Sequence, residues 1–254
     1  MLNKFDMLDC HPSPTPSAHG EVLCRDDGAN LVDEKTYRSI VGSLIFLTHT
    51  RPDITYSVSL VSRYMTNPSE IHMKAAKRIL RYVKGTLNFG IHYYSSEKFN
   101  LVGFSDSDWG GSLDDRKSTS GNCFSFGSGL ITWSSKKQSI VALSSTEAEY
   151  VAVTSAGTQA LWLRKILEEI GEKQVQPTVI YCDNVSAIKL AKNPVHHSRT
   201  KHFDLKYHFI RDLVQKKDVE LKHINTQHQL AYIFTKAVAK AQFLAIRDKI
   251  VNPH

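Results

Sequence analysis

The order of strand and helix patterns after Gly85 is the feature of this sequence that most constrains its fold. Three short apolar or alternating stretches, 99–106, 120–126 and 129–135, are separated by glycines and predict an antiparallel meander. A long helix from about 146 to 170 follows, after which strand and helix patterns alternate. Three strands, then helix, strand, helix, strand and helix, predict a mixed α/β sheet flanked by helices.

The other elements are predicted from hydrophobic periodicity. Before Gly85 there are three helix patterns, and Arg51-Pro52-Asp53 separates the first from the second. The elements predicted after the long helix are a buried strand at 178–183, a short helix through Ala191, a helix near 203–215, a strand at 218–224 and a closing helix at 230–249, either continuous or broken.

The third helix, about His72 to Val83, separates an apolar face from a cationic face. No acid occurs between Lys74 and Lys84, whereas a solvated helix face usually mixes both signs. The formal net charge of +7 also favours a polyanionic partner. We therefore predict a surface that contacts phosphates, with an ordinary solvated face as the alternative. Its basic residues are Lys74, Lys77, Arg78, Arg81 and Lys84.

The spacing of the cysteines and the length of the apolar runs indicate the cellular compartment in which the protein is expected. The four cysteines lie far apart and form no C-x-x-C pair, which argues against a zinc ribbon or a disulfide framework. The N-terminus has no apolar core of signal-peptide length, and the longest unbroken apolar run, Leu44 to Leu47, is too short to span a bilayer. We expect an intracellular protein, cytoplasmic or nuclear, without a membrane segment.

Three carboxylates are placed where a metal site can form. Asp106 ends one apolar strand, Asp183 ends another, and Glu149 lies in the first turn of the long helix. Strand ends and helix starts at one edge of a sheet are where α/β proteins place their chemistry. Three oxygen donors suit Mg²⁺ or Mn²⁺.

Spacing alone leaves alternatives for each of these acids. Asp108 faces the same way as Asp106 on a strand. Glu147 is an alternative to Glu149, although it fits a capping box at the start of the helix. Asp183 is also a candidate cap for the helix that follows it.

Several motifs follow one another along nearly the whole chain. Among them are AAKRILRYVKGT, GFSDSDWGG, DDRKSTSG, ITWSSKKQ, ALSSTEAEY, YCDNVSAIKLAKNPVHHSRTKH and YHFIRDLV. Together they resemble copia-type retrotransposon Pol polyproteins. The resemblance implies a small helical reverse transcriptase thumb and connection remnant over 1–95 and an RNase H-like domain over 96–254. No stretch resembles the polymerase palm, so polymerase activity is not expected of this chain.

The resemblance assigns site residues position by position. The first-strand aspartate matches Asp106, the helix glutamate matches Glu149, and the fourth-strand aspartate matches Asp183. These three would be catalytic and would hold Mg²⁺ or Mn²⁺ in a two-ion site. The family's fourth acid belongs in a motif A-D-I-F-T-K, where Tyr232 replaces the aspartate. Because tyrosine is neutral at pH 7, the two-ion site is expected to be incomplete.

The implied activity is cleavage of the RNA strand of RNA/DNA hybrids, impaired by this replacement. The alternative is a non-catalytic nucleic-acid-binding remnant of a decayed polyprotein. An RNA/DNA hybrid or another nucleic acid is the expected partner, and a reverse transcriptase palm acting in trans is a further candidate. A basic loop after the fourth strand would contact substrate through His197, Arg199 and Lys201, with a solvated loop as the alternative.

Overall fold

The structure, a computed structural model, describes residues 1–95, 99–192 and 201–253, with the backbone alone for 201–207, 252 and 253. Two compact units form: residues 1–92, 111–116 and 236–254 make up the first, and residues 93–110 and 117–235 make up the second. In chain order, the helices and strands are α1 (Glu34–Leu47), α2 (Thr55–Val61), α3 (Glu70–Lys84), β1 (Phe89–Gly90), β2 (Leu101–Ser107), β3 (Thr119–Phe126), β4 (Gly129–Lys137), α4 (Ser145–Glu169), β5 (Thr178–Cys182), α5 (Val185–Lys192), α6 (Lys201–Gln215), β6 (Val219–His223), α7 (Lys240–Ile250) and β7 (Asn252–Pro253).

The second unit contains a five-stranded sheet with the order β4-β3-β2-β5-β6. Strands β2, β3 and β4 are antiparallel, whereas β5 runs parallel to β2 and β6 runs parallel to β5. Antiparallel neighbours need only short turns, but each parallel pair needs a crossover. Helix α4 supplies the first crossover, and α5 with α6 supplies the second. The predicted RNase H-like mixed sheet flanked by helices is therefore confirmed.

An apolar core lies between the sheet and α4. Phe124, Ile180 and Leu221 of the strands are fully buried in one cluster with Val153 of α4. Gly103 faces Phe124 across β2 and β3, and a Cβ at this glycine would lie 2.5 Å from the phenylalanine ring. The absence of a side chain at Gly103 therefore lets the phenyl ring pack directly against the backbone of β2.

Of the two forms predicted for the closing helix at 230–249, continuous or broken, the structure has the broken one. Leu230–Phe234 forms a 3-10 helix, here called the closing 3-10 helix, and α7 begins only at Lys240. The side chain of Gln229 is fully buried and donates a hydrogen bond to the carbonyl oxygen of Ser105 at 2.8 Å. Because this bond fixes the chain against β2, the segment follows the sheet and does not continue as one regular helix.

A buried ion pair joins two parts of the first unit. Arg51 donates from Nε and Nη2 to the two carboxylate oxygens of Asp53, at 2.9 and 2.7 Å. It also donates to the carbonyl and hydroxyl oxygens of Thr86, at 2.9 and 2.7 Å. Tyr82 of α3 donates to Asp53 Oδ2 at 2.6 Å. The pair thus links the start of α2 to the end of α3, and its hydrogen bonds compensate for its removal from water.

Helix α3 begins at a capping box in which a histidine occupies the position usual for glutamate. Ser69 Oγ accepts a hydrogen bond from the backbone N–H of His72, and His72 Nδ1 accepts one from the N–H of Ser69 at 3.0 Å. Burial lowers the pKa of His72, against the opposing effect of the Asp27 carboxylate. The ring is therefore neutral at pH 7, which leaves Nδ1 free to accept.

In the first unit, β7 pairs with β1 in an antiparallel two-stranded sheet. Among the helices that the structure describes, none combines the length and the apolar character needed to cross a membrane. The division of the chain into the family domains 1–95 and 96–254 remains a prediction.

The buried ion pair predicts a large effect of a small substitution. Asp53→Asn should lower the free energy of unfolding by about 3–5 kcal/mol, because it leaves a buried guanidinium without a counter-charge. Asp212→Asn is the matched control, since Asp212 and Lys216 form a pair at 2.7 Å whose side chains are 51% and 63% exposed. It should cost less than about 1 kcal/mol. Denaturant unfolding measures both, and equal losses would contradict the role assigned to the buried pair.

Candidate metal centre

Asp106 and Asp183 lie at the same edge of the sheet. Strands β2 and β5 pair in register as far as Phe104 and Tyr181, and each aspartate follows two residues later. Because paired strands are about 4.8 Å apart, these two positions are neighbours. Asp106 is 1% exposed and Asp183 is half-buried.

Glu149 is brought to this edge by α4. It is 6% exposed, and its Oε1 accepts a hydrogen bond from the backbone N–H of Ser107 at 3.0 Å. Glu147 has a different role, because its carboxylate accepts from the N–H of Leu143 at 2.6 Å and its own N–H donates to Ser144 Oγ at 3.2 Å. Ser144 therefore caps α4 and the Glu147 carboxylate binds the backbone just before this cap, whereas Glu149 is bound to the end of β2.

Two neighbouring polar residues take the structural roles that spacing left open. Asp108 Oδ1 accepts a hydrogen bond from the backbone N–H of Thr119 and so bridges β2 and β3. Asn184 Oδ1 accepts a backbone N–H at 2.9 Å in the first turn of α5. Asp183 does not cap that helix; its Oδ2 accepts from Thr226 Oγ1 at 2.8 Å.

Cys182, the last residue of β5, is fully buried beside the carboxylates. Its Sγ lies 3.8 Å from Glu149 Oε2. One donor atom from each of Glu149, Cys182 and Asp183 lies within 4.8 Å of the other two. Burial raises the pKa of the Cys182 thiol, and the carboxylates of Glu149, Asp183 and Asp106 raise it further. All three predicted acids therefore act electrostatically on one thiol.

The chain segment around the closing 3-10 helix is held against the strands that carry the acids. Thr235 Oγ1 donates a hydrogen bond to Asp106 Oδ2. Gln229 Nε2 donates to the carbonyl oxygens of Ser105 on β2 and Tyr181 on β5, at 2.8 and 3.4 Å. Gln229 thus bridges the two strands near the point where their pairing ends.

Gly121 of β3 makes this arrangement possible. It is the register partner of Asp106 across β2 and β3. A Cβ at Gly121 would lie 2.8 Å from side-chain atoms of both Phe234 and Thr235, and 3.0 Å from the carbonyl oxygen of Ala231. The closing 3-10 helix therefore packs on bare backbone directly opposite Asp106.

Tyr232 lies in the closing 3-10 helix and is half-buried. Its carbonyl oxygen is 3.0 Å from Thr235 Oγ1, the hydroxyl group that also contacts Asp106. The position that the resemblance assigns to a fourth acid is thus in the segment attached to Asp106, and it carries a phenol in place of a carboxylate.

The donors at this edge fit a hard divalent cation. Carboxylate oxygens are the ligands that Mg²⁺ and Mn²⁺ take in proteins. Asp106 and Glu149 are more than nine-tenths buried, and buried carboxylates are costly unless an opposite charge or hydrogen bonds stabilise the anions. A bound cation would provide such a charge for all three acids.

The basic residues of α3 belong to the first unit, and part of the predicted cationic face is covered there. Arg78 Nη2 donates to Thr15 Oγ1 at 2.9 Å, and the backbone N–H of Ser13 donates to the carbonyl oxygen of Arg81 at 3.2 Å. The N-terminal segment therefore lies against this helix. The exposed members of the face are Lys74 and Lys77, and the half-buried members are Arg78, Arg81 and Lys84.

The predicted basic loop lies almost wholly outside the described residues. His197 and Arg199 belong to the stretch 193–200, which the description does not include. Lys201 begins α6, and only its backbone is described.

Sequence reasoning missed several residues that build this centre. The wide spacing of the four cysteines gives no indication that Cys182 belongs to a site, although Cys182 directly precedes Asp183 in the chain. Gly121 carries no local signal, since its role depends on what packs against it. Gln229 and Thr235 flank the closing 3-10 helix, and only their proximity to the Tyr232 motif could have indicated them.

A five-stranded mixed sheet with buried acids at its edge defines an RNase H-like α/β protein with a candidate metal centre. Among solved structures, LC11-RNase H1 in complex with an RNA/DNA hybrid is similar, with a TM-score of 0.36, 15% identity, and coverage of 51% of this chain and 88% of that one. No family model matches the chain.

Curated relatives place the chain more closely. It is 44% identical over 250 residues to the retrovirus-related Pol polyprotein from transposon RE1 of Arabidopsis thaliana, covering 98% of this chain and 17% of that protein. It is 41% identical over 257 residues to the Pol polyprotein from transposon TNT 1-94 of Nicotiana tabacum, covering 98% and 19%. The chain belongs to the retrotransposon Pol polyprotein family, and it spans less than a fifth of the length of these two relatives.

The packing at Gly121 predicts a specific loss of stability. Gly121→Ala should push the closing 3-10 helix away from β3 and lower the free energy of unfolding by about 1–3 kcal/mol, as expected for overpacking. Gly42→Ala on α1 is the control, because a Cβ there would meet nothing within 4 Å. In a helix this second change should be neutral or stabilising by up to about 1 kcal/mol. Thermal or denaturant unfolding distinguishes the two, and an equal response would argue against close packing at Gly121.

Proposed function

We propose that this chain is an RNase H-type endonuclease, weakened by Tyr232, that acts on the RNA strand of RNA/DNA hybrids. The observation that carries the proposal is that Glu149 and Asp183 lie together beside Cys182 at an edge of an RNase H-like sheet where β2 also carries the buried Asp106. Homology to retrotransposon Pol polyproteins over 98% of the chain supports the same role.

The three acids differ in burial and in the hydrogen-bond partners of their carboxylates. Asp106 is buried on a central strand and is oriented by Thr235, so it is the most firmly fixed of the three. Glu149 is fixed by the N–H of Ser107, and half-buried Asp183 is the acid most open to substrate. Mg²⁺ or Mn²⁺ held by these carboxylates would supply Lewis-acid stabilisation of phosphate oxygens and an activated water.

Tyr232 is the reason to propose a weakened activity. A carboxylate at this position would add one negative charge beside the segment that contacts Asp106. Tyrosine lacks this carboxylate, and its side chain is larger than that of aspartate. The protein therefore has one anionic ligand fewer for a second cation than a chain with aspartate at this position, and the proposed two-ion site is incomplete.

The replacement of the fourth acid by Tyr232 also supports a second candidate function. A site with enough negative charge to hold one cation but not two would bind a hybrid without cutting it. In this case the chain is a non-catalytic nucleic-acid-binding protein. The net charge of +7 and the exposed Lys74 and Lys77 support nucleic acid as the partner of both candidate functions.

We propose that the other basic residues of α3 and the loop residues His197, Arg199 and Lys201 make further contacts with phosphates.

Restoring the missing acid tests the proposal. Tyr232→Asp should raise the rate of cleavage of a labelled RNA/DNA hybrid in Mg²⁺ or Mn²⁺ by at least about a hundredfold. The reason is that metal stabilisation of the transition state is worth several kcal/mol and each 1.36 kcal/mol is a factor of ten. The rate is measured for the natural chain and the variant at the same salt concentration.

Two controls make this experiment decisive. Tyr232→Asn removes the bulk of the ring without adding charge, so a gain equal to that of the aspartate would contradict the charge argument. Adding Asp106→Asn to Tyr232→Asp should abolish the gain. If both the natural chain and Tyr232→Asp bind the hybrid and neither cuts it, the nuclease proposal fails and the binding function takes its place.

A further inference from the structure

An exposed apolar surface lies beside the candidate metal centre. Trp109 follows Asp106 by three residues and is 60% exposed, and Leu143, which precedes α4, is 86% exposed. Val141 of the same loop is exposed as well. Large apolar side chains that gather at the surface mark places where another molecule binds. Trp109, Val141 and Leu143 are here called the Trp109 platform.

One hydrogen bond fixes the indole ring of Trp109 and joins the two loops of the platform. Its Nε1 donates to the carbonyl oxygen of Ala142 at 3.1 Å, between Val141 and Leu143 in the chain. This bond uses the single polar group of the ring. The exposed part of the indole is therefore apolar, so it can pack on a sugar or a base edge but cannot read bases through hydrogen bonds.

Both loops of the platform are attached to elements that carry the acids. On β2, the N–H of Asp108 still donates to a carbonyl oxygen of β3 at 3.1 Å, so strand pairing continues to the residue before Trp109. Before α4, the N–H of Leu143 donates to the Glu147 carboxylate at 2.6 Å. Three residues span at most about 10 Å, so Trp109 lies within about three nucleotide spacings of Asp106.

A lysine lies near the platform on the edge strand of the sheet. Lys136 of β4 is exposed and pairs with Ser120 of β3, which in turn pairs with Ser107 of β2. Because neighbouring strands are about 4.8 Å apart, the backbone of Lys136 is about 10 Å from that of Ser107, two residues before Trp109. Proteins that hold nucleic acid without reading its sequence combine cations, which contact phosphates, with aromatic rings that pack on bases.

We propose that the Trp109 platform packs on the sugars and base edges of an RNA/DNA hybrid bound at the metal centre, while Lys136 contacts its phosphates. A wide, shallow minor groove, as in A-form duplexes, exposes sugars and base edges to such a surface. The inference rests on the proposed function, since it takes a hybrid as the partner of the centre. It adds a contact that acts through apolar packing, whereas the lysines act through charge.

The salt dependence of hybrid binding separates the platform from the lysine. The affinity of the full chain for a labelled RNA/DNA hybrid is measured over a range of salt concentrations in Ca²⁺, which takes oxygen ligands as Mg²⁺ does. Trp109→Ala should weaken binding at least about fivefold and leave the slope of log K against log salt concentration unchanged. Lys136→Gln should instead reduce this slope by about 0.9.

The matched control is a second exposed tryptophan. Trp162 of α4 is 56% exposed and lies about 25 Å along the helix from its start, so Trp162→Ala should change neither the affinity nor the slope. Trp109→Phe keeps an aromatic ring and should retain most of the affinity that Trp109→Ala loses. Far-ultraviolet circular dichroism verifies that each variant is folded.

Fluorescence provides a readout that keeps Trp109 in place. With Trp133 and Trp162 replaced by phenylalanine, the emission of Trp109 should be quenched when the hybrid is added. If Trp109→Ala binds the hybrid as tightly as the natural chain, or the emission does not change, the platform is overturned and the proposed function stands. If the natural chain does not bind the hybrid at all, both proposals fail.

Discussion

The second unit is organised around the cost of burying Asp106 and Glu149. An ionised carboxylate removed from water must find donors nearby. Asp106 finds the hydroxyl group of Thr235, and Glu149 finds the backbone N–H of Ser107. These two bonds join the closing 3-10 helix and α4 to β2, and Gly121 gives the first of these elements room to approach. The closing 3-10 helix and α4 are thus each tied to β2 through one of these two acids.

Much of the fold could be predicted from the sequence because it depends on local patterns. The β2–β4 meander and α4 followed from alternating apolar residues, glycines and a capping box. The break in the segment 230–249 was not fixed locally, since the helix pattern there is overruled by a side chain bound to another strand. Gln229 is polar and fully buried, and only the three-dimensional position of Ser105 and Tyr181 explains it.

The residues of the candidate site also fall into those that local sequence patterns predict and those that they do not. Asp106, Glu149 and Asp183 could be selected because strand ends and helix starts meet at one edge of a sheet. The distinction between Glu147 and Glu149 also followed from the capping pattern: Ser144 caps α4 by accepting from the N–H of Glu147, although the Glu147 carboxylate binds the N–H of Leu143 and not that of Ser144. Cys182 could not be selected in this way. A single cysteine in an apolar strand has no pattern of its own, and its meaning comes from Glu149, which is 33 residues away in sequence and 3.8 Å away in space.

The contact between Thr15 and Arg78 has an ionic consequence for α3. A cationic helix that binds nucleic acid gains free energy when condensed counterions leave the phosphates, and each neutralised phosphate adds about 0.9 to the slope of log K against log salt concentration. The guanidinium of Arg78 is half-buried and already donates from Nη2 to the hydroxyl group of Thr15, so a phosphate would have to share this side chain with Thr15. In the proposed binding of nucleic acid, α3 would therefore release counterions mainly through the exposed Lys74 and Lys77, and less through the half-buried residues of the same face.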